Sequence, residues 1–350
     1  MTPRTFHSVE KIQIRLAAIL AAVAAYYVIW GLVRPADPGG PMVFLPTGSY
    51  AAVALLCGAM CVLAAACGVV TISARPHGAI LAMAFGAGGL SLHSEPIRSL
   101  LWERQGELRP LYWQMAGEVV LLTAVLVVAV LALVVGRALA AAILPKLVWQ
   151  DPLAELSDEE REAYNRAVEA GRKEAGDRSA AARLAHVVLM PLSGLFVLFF
   201  PGTDMPKLAQ RETATKRALC FLVTFVIGVA AVMLLMKSSQ RGQLLFAVLA
   251  GCFLGTWLGQ MAVPIRSSIV SLALPIVMAV GFYVLAALSN VQATDPDAAW
   301  MGVSLYARVL PIDWVSAGLG GSMLGHWVSL RMREMKFLEQ QEQEEAGEGD

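Results

Sequence analysis

Six long segments without an ionised side chain constrain the fold of this chain more than any other feature. They are residues 16–33, 50–71, 119–135, 218–236, 244–263 and 269–288. A helix of about 20 apolar residues, at a rise of 1.5 Å per residue, crosses a hydrocarbon layer about 30 Å thick. The sequence therefore predicts an all-α fold, a polytopic transmembrane helical bundle whose main partner is the lipid bilayer.

The composition agrees with a membrane protein and argues against several classes of binding partner. Hydrophobic residues make up 57% of the chain and charged residues 15%, against about 25% charged in soluble domains. The formal net charge is zero, so we expect no nucleic-acid partner. No group of His and Cys has metal-ligand spacing, which predicts no metal and no cofactor. All five cysteines lie in apolar segments: Cys57, Cys61, Cys67, Cys220 and Cys252.

The distribution of Lys and Arg predicts how the chain is threaded. Basic residues flank both the first and the last apolar segments, which places both termini on the cytoplasmic side of the cell (inner) membrane and requires an even number of crossings. We predict eight spans, at about 14–33, 50–73, 77–93, 111–136, 217–236, 243–263, 267–288 and 308–330. Residues 184–201 contain Pro191 and Gly194, and we predict a re-entrant or interfacial segment there. The alternative is nine or ten crossing elements.

This topology divides the chain into four parts. Residues 1–149 form a membrane bundle of four spans, and residues 150–183 form a charged cytoplasmic linker with a helix at about 158–175. Residues 184–338 form a second bundle, with the re-entrant segment and four spans. Residues 339–350 are rich in Glu, Gln and Gly, and we predict that this tail is disordered.

Two of the predicted spans carry a small residue at every fourth position. The first stripe is Ala247, Gly251, Gly255 and Gly259, and the second is Ala317, Gly321, Gly325 and Ser329. This spacing places the small residues on one helix face, where a neighbouring helix can approach closely. One interpretation is an internal repeat that forms matched halves of a transport pathway. The other, which we favour, is similar packing without a repeat, because the flanking residues differ.

Ionisable residues within spans are the candidate functional residues, because each is costly in a bilayer. They are Glu118, Arg308, Asp313 and His326. Glu118 lies inside the fourth span or at its outer interface, and Arg308 and Asp313 could pair with each other or with Glu118. A hydrogen-bonded His326 is favoured over a catalytic or haem-binding one. A dyad of Ser193 with His326 is disfavoured, and we predict no catalytic residue.

The chain has no phosphate-binding glycine loop, so nucleotide-driven transport requires a separate ATPase chain. The eight spans, a third span broken by glycines and the kinked 184–201 segment favour a permease or transporter-like membrane subunit of unknown substrate. The alternative is a non-catalytic scaffold or a subunit of a complex with other membrane subunits. A membrane-embedded enzyme is the third hypothesis, and it needs polar residues that converge on one pocket.

Overall fold

The predicted all-α fold class is confirmed. The computed structural model describes residues 3–34, 40–72, 76–94, 97–103, 107–143, 214–265, 267–289 and 296–347, and these ranges contain helices and no strand. Six of the described helices are long and apolar enough to cross a membrane. The chain is therefore a multi-pass membrane protein. The predicted segments 158–175 and 184–201 lie outside the described residues, and the count of eight spans stays a prediction.

Twelve α-helices are described, and three of the junctions between them are short helical turns of another type. The α-helices are α1 (Pro3–Ala24), α2 (Trp30–Val33), α3 (Tyr50–Val70), α4 (Pro76–Ser91), α5 (Arg98–Glu103), α6 (Leu108–Ile143), α7 (Ala214–Leu235), α8 (Arg241–Ala262), α9 (Ile269–Leu288), α10 (Pro296–Gly302), α11 (Pro311–Asp313) and α12 (Leu319–Gly347). A π-helical turn, Ala25–Ile29, joins α1 to α2, and another, Trp314–Gly318, joins α11 to α12. A 3₁₀ turn, Leu305–Arg308, precedes α11.

The long helices run between two ends of one bundle. We call distal the end where Ser91, Arg241 and Asp313 meet, and proximal the end where Arg137 donates to the carbonyl of Thr71. Helices α8 and α12 both start at the distal end, and α7 packs antiparallel to α8. The chain therefore leaves α6 and enters α7 at the same, proximal end.

Glycines set the closest contacts in the first half of the bundle. A Cβ atom at Gly136 on α6 would lie 2.8 Å from the Cα of Ala65 on α3, and one at Gly86 on α4 would lie 2.7 Å from the Cβ of Ala21 on α1. The predicted break at the glycines of the third span is wrong, because α4 is a continuous helix. Its glycines serve helix packing, with Gly89 facing the backbone of α1 at Ala22.

The two small-residue stripes of the second half face different neighbours. Gly255 on α8 approaches α7, where its Cβ would lie 2.7 Å from the Cα of Gly228. Gly321 on α12 instead approaches the backbone of Leu249 on α8. The stripe of α8 thus packs on α7, and the stripe of α12 packs on α8, so the two stripes do not pair with each other.

Two predicted boundaries differ from the structure. The fourth span, predicted at 111–136, is the longer helix α6, which starts at Leu108 and ends at Ile143. Helix α12 continues to Gly347, whereas the composition of residues 339–350 predicted disorder. Glu, Gln and Lys are strong helix formers, and the membrane helix before them provides the nucleus, so the helix propagates beyond the apolar part.

Candidate functional site

The four predicted ionisable residues do not converge on one site. Asp313 lies in a charged site at the distal end, Arg308 lies in a distal loop, and Glu118 lies beneath another distal loop. His326 lies in a neutral polar cluster nearer the proximal end. About 20 Å of helix separates Asp313 from His326, since the two residues are 13 positions apart at about 1.5 Å per position.

The ion-pair site, formed by Ser91, Arg241 and Asp313, is the charged centre. The Nη2 and Nη1 atoms of Arg241 donate to Oδ1 and Oδ2 of Asp313 at 2.7 and 3.0 Å. Arg241 Nη2 also donates to the Ser91 carbonyl at 2.7 Å, and the Ser91 hydroxyl donates to Asp313 Oδ1 at 2.6 Å. The backbone N–H of Leu310 donates to Asp313 Oδ2 at 3.0 Å. Both carboxylate oxygens therefore have charged and neutral donors.

Burial makes the loss of either partner of this ion pair costly, because the remaining charge would lack a counter-ion. The side chain of Asp313 is fully buried and that of Arg241 is 17% exposed. A bidentate pair of this kind is both directional and stronger than a neutral hydrogen bond. Because Ser91 belongs to α4 while Arg241 and Asp313 belong to the second half, the site ties the two halves of the bundle together.

The expected pairing of Arg308 with Asp313 or Glu118 is wrong. The guanidinium of Arg308 donates to the backbone carbonyls of Trp300 and Val303 at 2.7 and 2.9 Å, and it stacks 4.1 Å from the ring centre of Trp300. It therefore holds the loop between α10 and α11. Both carboxylate oxygens of Asp313 already accept hydrogen bonds from Arg241, Ser91 and Leu310.

Sequence reasoning missed Arg241. The positive-inside rule treats this residue as a charge on the wrong side of the membrane, and a positive charge at a helix N-terminus also opposes the helix dipole. These two unfavourable positions of a positive charge are the sequence features that could have pointed to a partner of opposite charge. The partner, Asp313, is 72 residues away, so the sequence alone does not identify it.

Glu118 is fully buried on α6, where its Oε2 atom accepts the backbone N–H groups of Phe44 and Leu45 at 3.0 and 3.2 Å. The sequence left open a position inside the span or at its outer interface. The structure places the residue under the loop between α2 and α3, at the distal end. Its partners are backbone groups, which no side-chain pattern reveals.

The polar cluster comprises buried hydroxyl, amide and imidazole groups from α8, α9 and α12. Its members are Thr256, Gln260, Ser271, Ser322, His326 and Ser329. The amide oxygen of Gln260 accepts from His326 Nδ1 and from the Ser329 hydroxyl, each at 2.8 Å, and its Nε2 donates to the Ser271 hydroxyl at 3.1 Å. Gln260 is therefore the hub of the cluster.

The acceptors fix the donor in two of these contacts, whereas the Ser329 hydroxyl, with its single proton, lies 2.8 Å from both the Gln260 amide oxygen and the His326 carbonyl. Because the amide oxygen of Gln260 only accepts, His326 carries a proton on Nδ1. The Ser322 hydroxyl donates to the Ser271 carbonyl at 2.5 Å, so Thr256 is the donor in its 2.8 Å contact with Ser322. The cluster is a connected network inside helices of membrane-spanning length, within about 9 Å of the proximal end of α8.

A small pocket opens at the distal end between α6 and α9. Leu108 and Tyr112 line it on α6, Ala286 on α9, and Ser304 and Ala307 on the following loop. Its interior volume is about 10 Å³, which holds about one water. Solute-binding pockets are typically about 300–1,000 Å³, so the described bundle is closed here.

The enzyme hypothesis required Glu118, His326 and Ser193 in one pocket. Glu118 binds a distal loop, whereas His326 lies in the proximal cluster, so these two are not brought together. Ser193 lies outside the described residues. Among the described residues, no group of three or more His, Cys, Asp or Glu could hold a metal ion.

Comparison with known proteins gives no relative from which to transfer a function: no family model, no curated protein and no solved structure matches this chain.

Proposed function

We propose that this protein is a permease-type membrane protein that moves a small polar solute or ion along the interface of α8, α9 and α12. The observation that carries the proposal is the polar cluster around Gln260. Polar side chains at membrane depth are costly unless they are partnered, and in membrane proteins they commonly line solute and ion pathways.

The packing of α12 supports this assignment. Helix α12 connects both polar sites, with Asp313 just before its distal end and His326 and Ser329 in the cluster. Its contact with α8 is made through glycines such as Gly321 and Gly325. These contacts bring α12 directly against α8 along the polar cluster. We therefore propose that the pathway follows the contact of α8 with α12, with the described conformation as a closed state.

The predicted topology orients this pathway. With both termini cytoplasmic, the polar cluster faces the cytoplasmic half of the inner membrane and the ion-pair site faces the outside. We propose no resident cofactor. Energy coupling through a separate ATPase chain or other membrane subunits remains part of this proposal, since the chain itself has no nucleotide-binding motif.

The test is flux in liposomes that contain only the purified full-length chain. Radiolabelled amino acids, sugars, carboxylates and nucleosides are offered as separate pools, and a pH-sensitive dye inside the liposomes reports proton movement. We expect one pool, or the dye, to respond above protein-free liposomes. Replacement of Gln260 by Leu should lower that rate at least about tenfold, because it removes the hub of the network.

Thr123→Val is the matched control. Thr123 also lies within a long apolar helix, and its hydroxyl donates to the carbonyl of Val119 on the same helix. It is outside the proposed pathway, so flux should be unchanged. A monodisperse, helical protein that moves no pool and no protons would contradict the proposal, as would equal loss of flux in both variants.

A complex subunit without transport activity is the second candidate function. The observation that favours it is the closed core, in which Gln260 is hydrogen-bonded to three cluster side chains and the distal pocket has room for about one water. Purification in a mild detergent separates the two candidates. A stoichiometric membrane partner together with absence of flux would favour the subunit, and flux by the chain alone would exclude it.

A further inference from the structure

Glu118 has an asymmetric environment. Its Oε2 atom accepts two consecutive backbone N–H groups, those of Phe44 and Leu45. Its other oxygen, Oε1, is buried and forms no hydrogen bond within the part of the chain that the structure describes. A buried carboxyl group with one vacant oxygen is a site where a proton can bind without displacing another partner.

The two N–H groups belong to a compact loop that covers the distal end. We call residues 40–49 the distal loop. Met42, Val43 and Phe44 are at most 3% exposed, and the N–H of Met42 donates to the Ser94 hydroxyl at 2.7 Å. Among the described residues, three amide hydrogen bonds tie this loop to side chains of the bundle, and Glu118 accepts two of them.

The strength of these ties depends on the charge of Glu118. Successive backbone N–H groups form a small concave site for an anion, and hydrogen bonds to an ionised acceptor are about twice as strong as neutral ones. Protonation removes the charge and weakens both bonds at once. The loop contains no ionisable side chain of its own, so its attachment responds to the state of Glu118.

We propose that Glu118 is a proton-binding site that fastens the distal loop when it is ionised and loosens the loop when it is protonated. This inference is independent of the proposed transport function, because it concerns the attachment of a loop and not the cluster around Gln260.

The ionisable groups on neighbouring elements do not provide the same response. The phenols of Tyr112 on α6 and Tyr283 on α9 do not change charge in acid, and Asp313 on α11 is the partner of Arg241 in the ion-pair site. His93 lies at the same end of the bundle and is within 2.9 Å of the Tyr26 carbonyl. It is a second proton-binding side chain at this end, so the experiment includes a variant that removes it.

The test uses a spin label on the exposed residue Thr47, introduced as Thr47→Cys in the full chain with the five native cysteines replaced by alanine. The labelled protein is reconstituted in liposomes, and label mobility is recorded between about pH 4 and pH 9. We expect one single-proton transition, with the ratio of mobile to immobile label rising roughly tenfold toward acid.

Three variants decide the interpretation. Glu118→Gln should abolish the transition, and Glu118→Asp should shift its midpoint, because the shorter side chain reaches the two amides less well. His93→Gln should leave it in place. A transition that persists in Glu118→Gln, or that disappears in His93→Gln, would overturn the proposal, as would the absence of any transition in the parent protein. If Glu118→Gln does not fold, an unchanged midpoint in Glu118→Asp overturns it equally.

Discussion

The ion-pair site and the polar cluster stabilise polar side chains inside the bundle in two different ways, one with paired charges and the other with neutral hydrogen bonds. Both place polar side chains among apolar helices, the first with Asp313 on α11 and the second with Ser322, His326 and Ser329 on α12. The ion-pair site uses two full charges in a bidentate geometry and joins α4 to the second half of the bundle. The polar cluster uses neutral groups that share one amide, Gln260, and joins only helices of the second half.

This difference predicts different tolerance to change. When one charge of a buried pair is removed, the other stays buried without a counter-ion, which costs much more than a lost hydrogen bond. Neutral groups in a cluster can exchange partners after one is lost, and in membranes a single side-chain hydrogen bond contributes about 0.6 kcal/mol on average. We therefore regard the ion-pair site as a fixed tie and the cluster as the part that can rearrange.

The largest expected effect is that of Asp313→Ala. It leaves the guanidinium of Arg241, whose side chain is only 17% exposed, without its carboxylate. We expect the free energy of unfolding to fall by about 3–5 kcal/mol. Titration of the purified protein in mild detergent with sodium dodecyl sulfate, followed by circular dichroism, measures this change.

The double variant Arg241→Met with Asp313→Leu tests the reason for that loss. It removes both charges, so it should be more stable than Asp313→Ala alone. Equal stability of the two variants would mean that the lost hydrogen bonds, and not the uncompensated charge, dominate. In that case the contrast between the two sites would not hold.

The second largest effect lies between the two sites, at the contact of α12 with α8. Gly321→Ala places a Cβ 2.9 Å from the carbonyl carbon of Leu249, and such overpacking typically costs about 1–3 kcal/mol. Gly281→Ala on α9 is the matched control, because nothing lies within 4 Å of its Cβ position. There the higher helix propensity of Ala should stabilise the protein slightly. Equal changes at both positions would show that helix propensity, and not packing, governs these glycines.

The sequence alone predicted the helices, but it did not predict the partners of Arg241 and Glu118. The apolar runs predicted the helices, since their length and lack of charge are set by the bilayer and need no knowledge of neighbours. Arg241 was not among the predicted site residues, because its charge is explained by a partner that only the folded chain brings near. Glu118 was recognised as unusual, but its partners are backbone amides, which every residue has and no sequence pattern marks.

The hub of the polar cluster shows the same limit. His326 was expected to be hydrogen-bonded, and its contact with Gln260 fits that expectation. Gln260 was not among the predicted site residues, because a single uncharged amide near a helix end is far less costly in a membrane than a charge. Its role depends on Ser271 and Ser329, which belong to two other helices.

The third prediction tests the tolerance of the cluster directly. Gln260→Leu removes three hydrogen bonds of the network, and we expect a loss of about 1–2 kcal/mol, less than that of Asp313→Ala. Ser329→Ala removes only one of them and should cost about 0.6 kcal/mol. The same denaturant titration measures both. A loss for Gln260→Leu that equals that of Asp313→Ala would mean that the cluster is as rigid as the ion-pair site.

The smallest effect is expected for a charged pair outside both sites, and it sets the baseline for the comparison. Arg98 Nη2 lies 2.9 Å from Asp297 Oδ1, but the two side chains are 56% and 42% exposed. Exposed pairs contribute about 0.2–1 kcal/mol and weaken with salt. Arg98→Ala should therefore shift the unfolding midpoint only slightly, and the shift should shrink further at high ionic strength. The change caused by Asp313→Ala should be nearly independent of salt, because burial shields that pair from counter-ions. If both variants responded to salt alike, Arg241 and Asp313 would be accessible to solvent, and the ion-pair site could not serve as a fixed tie.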